Sequence, residues 1–254
     1  MPKKKTKEKE SSDEIVISLD QFAVPGAILL AGVIIAVTIF FTNKNKTTDE
    51  VDTGDTEGTT SEETTTTTDD SEFPAVTTDI GDNPYIGDKD SAKVAIVEYN
   101  EYKCGYCLRH KDETLPSIVE NYINTGDIIY VFREFAIYGD DIANAAKCVY
   151  HLEGTDTYND FHTGAFNLED DDAIYALAKS VGVNESEFDS CYSEKRYQSE
   201  IDADKAAGTD AGVQGTPGFV VGTLDDDGNV TGNLVPGAYP YENFVELLDG
   251  FLSE

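Results

Sequence analysis

The stretch Glu98-Tyr-Asn-Glu-Tyr-Lys-Cys104-Gly105-Tyr106-Cys107 constrains this chain more than any other. Val94 to Tyr99 is a short apolar run with one acid in it, the pattern of a buried strand. Beyond the two cysteines, Leu108, Leu115, Ile118, Val119 and Tyr122 recur at helical spacing. Cys104 therefore falls where a strand turns into a helix. A helix N-terminus offers unpaired N–H groups and a partial positive charge, which favour a thiolate. The thiolate is the attacking species in disulfide exchange. Cys107, one helical turn on, can attack the sulfur of Cys104. Cys104 is thus the expected nucleophile and Cys107 the resolving thiol. Half of a zinc site is the competing reading of a CxxC pair. It lacks a second CxxC or a His-x-His, so neither a metal nor another cofactor is expected.

More than a hundred residues later stands Gly215-Thr216-Pro217-Gly218-Phe219-Val220-Val221. With Glu98, Cys104 and Cys107, this segment gives residues 84–254 a resemblance to the thioredoxin-like disulfide oxidoreductases, and within them to the DsbA-like branch. The resemblance implies that Glu98 is a buried acid that moves protons to and from the thiols. It implies that Pro217 is cis beside the CxxC pair and that the backbone of Thr216 pairs with an extended substrate segment. Tyr106, between the cysteines, is expected to be partly exposed and to touch substrate, whereas Tyr99 and Tyr102 read as core and rim. The Gly105-Tyr106 dipeptide departs from the typical DsbA pair and, with Thr216 before the proline, looks like the active site of DsbC-type isomerases. The implied fold is α/β and thioredoxin-like, with a helical insertion subdomain at about 140–211 between the strand Ile128–Phe135 and the Thr216-Pro217 loop.

Cys148 and Cys191 both fall in that insert. They can form a structural disulfide, two buried free thiols, or a second redox pair. Outside the cytosol an even cysteine count favours the structural disulfide. The three histidines suggest no role. His110 is six residues past Cys104 and off its face, and His151 and His162 lie in the insert, so no cysteine-protease arrangement is visible. Asp225-Asp-Asp-Gly228 reads as a hairpin turn, because the spaced ligands and closing Glu of a calcium loop are missing.

The chain also carries a targeting signal. Residues 22–42 follow five lysines, Lys3, Lys4, Lys5, Lys7 and Lys9, and are uncharged and mostly apolar, long enough to span a hydrocarbon core. A cleaved signal peptide has a shorter apolar region ending in small residues. An uncleaved anchor fits better, with residues 1–21 cytoplasmic and the rest outside. Residues 43–83, rich in Thr, Asp and Glu, bury too little to repay the cost of ordering and read as a disordered acidic linker. Its reach would be roughly 35 Å.

A formal net charge of −32 excludes the basic face that nucleic-acid binding needs. Spread over a folded domain, it suggests adaptation to a salty medium. The chain is therefore expected to be a single-pass cell-membrane protein whose catalytic domain, residues 84–254, forms or reshuffles disulfides in cysteine-containing exported proteins and exchanges electrons with a membrane redox partner. The alternatives are a disulfide isomerase or reductase, and a non-catalytic anchored thioredoxin-like binding module.

Overall fold

In the computed structural model, residues 73–253 are described. The expected cytoplasmic tail, the apolar span at 22–42 and most of the expected linker lie outside them. No helix among the described residues is long and apolar enough to cross a membrane.

Six strands form one sheet: β1 (Ala75–Asp79), β2 (Tyr85–Ile86), β3 (Val94–Asn100), β4 (Ile128–Glu134), β5 (Gly218–Leu224) and β6 (Asn229–Pro236). Their order across the sheet is β1-β6-β5-β3-β4-β2. Only β3 and β4 run parallel; every other neighbouring pair is antiparallel. The central strand β3 is buried along its whole length. Its alternate residues serve two cores, because side chains of a strand point to opposite faces. Val94 and Ile96 face the larger core, which includes the helical insert, and Ala95, Val97 and Tyr99 face the smaller one.

Between β3 and β4 lie α1 (Gly105–Glu113) and α2 (Leu115–Asn121). The periodicity predicts one continuous helix here, and the structure breaks it at Thr114. Pro116 has no N–H to give and crowds the preceding turn, so it sits in the first turn of a new helix rather than inside an old one. The insert holds α3 (Asp141–Glu153), α4 (Thr155–Gly164), α5 (Asp171–Ser180), α6 (Glu185–Ser193) and α7 (Gln198–Asp210). The chain closes with α8 (Tyr241–Leu252), which buries Phe244 and Leu248 against the sheet.

Two boundaries differ from the sequence reading. The folded chain begins before Pro84. Phe73 is buried with its ring 5.1 Å edge-on to Tyr239, and β1 pairs with β6 from Ala75↔Asn233 to Asp79↔Asn229. As an edge strand β1 buries little, so Ala75-Val-Thr-Thr-Asp79 has the composition of the linker before it. Likewise β6 extends well before Asn233, because Gly232 lies against Gly222 so closely that a side chain on either would strike backbone. The turn at Asp225–Gly228 forms as expected, with the Asp225 carboxylate accepting from the backbone N–H groups of Asp227 and Asn229.

A buried charge cluster ties insert to sheet. The Lys147 ammonium on α3 lies 2.8 Å from Asp204 on α7, and the Arg133 guanidinium on β4 pairs with Asp79 at 2.6 Å and faces Asp204 at 3.6 Å. Cys148 on α3 and Cys191 on α6 are joined by a disulfide that closes 43 residues of the insert.

The start of β1, the ends of β3 and β6 and the start of β5 lie at one end of the sheet. Pro74 is held there by the Leu234 N–H donating to its carbonyl at 2.9 Å.

Candidate active site

At that end of the sheet β3 runs out at Asn100, and Glu101 turns the chain toward α1. The Glu101 carboxylate accepts three backbone N–H groups, from Lys103 at 2.9 Å, Ile137 at 2.6 Å and Tyr138 at 2.8 Å, and its carbonyl accepts the Cys104 N–H at 3.1 Å. Glu101 is therefore the residue that shapes the cysteine loop. No local pattern marks it, because an acid in a polar turn looks solvated until its partners are placed.

Cys104 is the N-cap of α1, with extended backbone, so its sulfur sits at the helix N-terminus. The Cys104 Sγ–H donates to the Thr216 carbonyl at 3.2 Å, and Thr216–Pro217 is a cis peptide bond. Sequence positions 112 apart thus meet within one hydrogen bond. Cys107 is fully buried one turn along α1, and neither thiol is in a disulfide. Burial first, and then the negative charge of Glu98, push the Cys107 thiol far above its ordinary range. Among the described residues no group of three or more His, Cys, Asp or Glu side chains is arranged to hold a metal ion.

Glu98 is 2% exposed. Burial pushes its carboxyl up to about 7, against the pull of the Tyr130 hydroxyl, which donates to Oε2 at 2.8 Å. Such a group changes charge near neutral pH, which is where a proton acceptor for a thiol is useful. His110 is the correction to the sequence reading. It is 1% exposed, lies in the core under the site and places Nε2 3.0 Å from the Tyr130 hydroxyl. A count from Cys104 points it away from the nucleophile, but counted from Cys107 it is three residues on, the spacing of one helix face.

A second buried group lies on the same face of the sheet. The Tyr102 and Tyr158 hydroxyls donate to Glu134 at 3.2 and 3.3 Å, and His162 Nδ1 lies 3.0 Å from the Tyr102 hydroxyl. Burial pushes Glu134 up to about 8. Tyr106, by contrast, is 62% exposed, with the Arg109 guanidinium 5.0 Å from its ring centre. Tyr106, Arg109, Thr216, Gly237 and Tyr239 line a shallow cavity of about 360 Å³ beside the cysteines. A larger cavity of about 550 Å³ opens beside Thr216 and Pro217, lined also by Pro74, Val76, Val213 and Leu234.

A family model described as thioredoxin matches residues 79–233. Disulfide bond formation protein D of Bacillus subtilis (strain 168) is 31% identical over 90 residues, which are 35% of this chain and 40% of that protein. The chain thus spans less than half the length of this curated relative. Among solved structures, oxidised BdbD of Bacillus subtilis superposes with a TM-score of 0.62 at 21% identity, covering 72% of this chain and all of that one. The thiol-disulfide exchange protein alpha-DsbA2 of Wolbachia pipientis superposes with a TM-score of 0.54 at 28% identity, covering 66% and 86%. The chain belongs to the thioredoxin family, in the DsbA-like form whose core is interrupted by a helical insertion.

Proposed function

We propose that this protein is a thiol–disulfide oxidoreductase that forms or reshuffles disulfides in exported proteins, held at the cell membrane by residues 22–42 with its catalytic domain outside. One observation carries the chemistry: the Cys104 sulfur stands at a helix N-terminus, 3.2 Å from the carbonyl that precedes a cis proline, with Cys107 one turn deeper. The apolar span and the lysines before it support the anchor.

In the oxidising direction a substrate thiolate attacks the Cys104 sulfur of the Cys104–Cys107 disulfide. A mixed disulfide forms, and Cys107 leaves as a thiolate that takes a proton from Glu98. A second substrate thiolate then attacks its own partner sulfur in the mixed disulfide and releases Cys104, so the substrate is oxidised by two electrons and the enzyme reduced. In the reducing direction Cys104 attacks, Glu98 takes the proton of Cys107, and Cys107 resolves. Thr216 aligns the substrate backbone beside Pro217, and the exposed Tyr106 ring touches the substrate. A membrane redox partner would restore the starting form.

The test is a pair of variants assayed by insulin reduction and by trapping. Cys104→Ala should abolish exchange, and Cys107→Ala should accumulate mixed disulfides. Turnover like the native protein's in Cys104→Ala would sink the assignment. The reduction potential of the pair sets direction: about −120 mV marks a disulfide donor, and about −270 mV a reductant or isomerase.

A further inference from the structure

Glu98 does not meet the sheet alone. Its Oε2 accepts the Tyr130 hydroxyl at 2.8 Å, and that hydroxyl lies 3.0 Å from His110 Nε2. The three side chains come from β3, β4 and α1, and all three are buried. A tyrosine has one hydrogen to give. When that hydrogen goes to the Glu98 carboxylate, the contact to the imidazole can only be Nε2–H donating to the tyrosine oxygen. The imidazole is neutral, because burial holds it down at about 3, so it has one N–H, and this one is spent on Tyr130. Its Nδ1 has no hydrogen-bond partner and is buried.

The imidazole is wedged between Phe219, at 4.4 Å, and Phe244, at 5.4 Å between ring centres. A residue needed there only to fill space would be better as an aromatic hydrocarbon, since burying an unpaired ring nitrogen costs free energy. The Nε2–H bond to Tyr130 is the return for that cost. A hydroxyl that accepts one hydrogen bond while donating another is polarised and donates more strongly.

We propose that His110 and Tyr130 are positioning residues that act through Glu98: the chain His110 Nε2–H to Tyr130 O–H to Glu98 Oε2 stabilises the carboxylate form and so keeps Glu98 able to take the proton of Cys107. This rests on the reading of the chain as a thiol–disulfide exchange enzyme. The step it serves is the closing of the Cys104–Cys107 bond. The Cys107 proton passes to the Glu98 carboxylate, the thiolate attacks the Cys104 sulfur of a mixed disulfide, and the substrate sulfur leaves as a thiolate. Both cysteines are oxidised and the substrate pair is reduced. The ionisable groups that face Glu98 are Tyr130 from β4, Cys107 and His110 from α1 and, through longer-range charge coupling, Tyr102 and Tyr158. At the His110 end, β5 and α8 contribute the rings of Phe219 and Phe244, and the titratable His162 of α4 couples to the imidazole through charge.

The experiment uses the full-length protein and two readouts. The first is the titration of Glu98, followed by its protonated-carboxyl infrared band with Glu98→Gln as the blank. The second is the pH profile for decay of the mixed disulfide with glutathione, formed by adding oxidised glutathione to the reduced protein. Tyr130→Phe keeps the ring and removes the hydroxyl. It should raise the Glu98 midpoint by about one pH unit or more, since a hydrogen bond to a charged group is worth that much. The decay profile should move with it. His110→Phe should move both readouts the same way by less. His110→Gln, which retains an N–H donor, should restore the native midpoint. A Glu98 midpoint unmoved in Tyr130→Phe and in His110→Phe overturns the proposal. A midpoint that moves in a protein that forms no mixed disulfide with glutathione upholds the hydrogen-bonded chain and instead removes the enzymatic reading beneath it.

Discussion

Glu98 holds its proton more tightly in the folded chain than an exposed glutamate does. Its carboxyl sits at about 7 against a reference of 4.5 because burial penalises the charge. Between those two values the folded state binds more protons than the unfolded one, so stability is greatest below about 4.5 and falls as pH rises through about 7. Glu134, at about 8 and raised by the same cause, adds a slope of the same sign. Urea unfolding of Glu98→Gln should show a shallower loss across that window and a gain of roughly 3 kcal/mol or less above it, each pKa unit being worth about 1.4 kcal/mol. A Glu98→Gln protein that is destabilised above pH 7 would mean that the carboxylate is better solvated than its burial implies. The residues carrying the expected chemistry were legible in the sequence because each sits in a short pattern: two cysteines one turn apart, an acid six residues before, a Thr-Pro pair. Glu101, Tyr130 and His110 were not legible. Their partners lie on other elements, and nothing local separates a buried glutamate, tyrosine or histidine from a solvated one.

At the level of elements, the helical insert is cross-linked within itself by a disulfide and tied to the sheet by the Lys147, Asp204 and Arg133 cluster. The Cys148–Cys191 bridge joins α3 to α6. Replacing both cysteines with serine should cost about 2–4 kcal/mol in urea unfolding, from the loop entropy returned to the unfolded chain. The Cys104–Cys107 potential should be unaffected, because the bridge and the active pair lie on separate helices. Helix α7 makes a sharper case. Gly208 faces the sheet, and a Cβ there would sit 2.7 Å from the Tyr99 ring and 2.8 Å from the Phe135 ring. Helix propensity alone would make Gly208→Ala stabilising by about 1 kcal/mol. The clash with two packed aromatic rings should reverse that sign and leave a net loss of about 1–3 kcal/mol, the usual cost of overpacking. Thermal melting of Gly208→Ala decides between the two. Elements were readable in the sequence where periodicity was strong, as in β3 and α8. They were misread where composition ran against structure. β1 is an edge strand of linker-like residues, and the Leu108–Tyr122 repeat hid a break that Pro116 imposes.

Taken whole, the protein carries 50 acidic against 18 basic side chains. Many of the acids in the described domain are exposed, and like charges at the surface repel over about 10 Å at roughly 0.1 M salt and about 3 Å at roughly 1 M. The melting temperature should therefore climb steadily with potassium chloride. A melting temperature indifferent to salt would show that the repulsion is already relieved, and would remove the reason for linking the acidity to a saline habitat. The architecture also fixes where the polypeptide enters the domain. Pro74 lines the cavity next to Thr216 and Pro217, so the chain enters beside the loop whose Thr216 carbonyl meets Cys104. Anything pulling on the chain from the N-terminal side pulls on the rim of the cleft and not on its back.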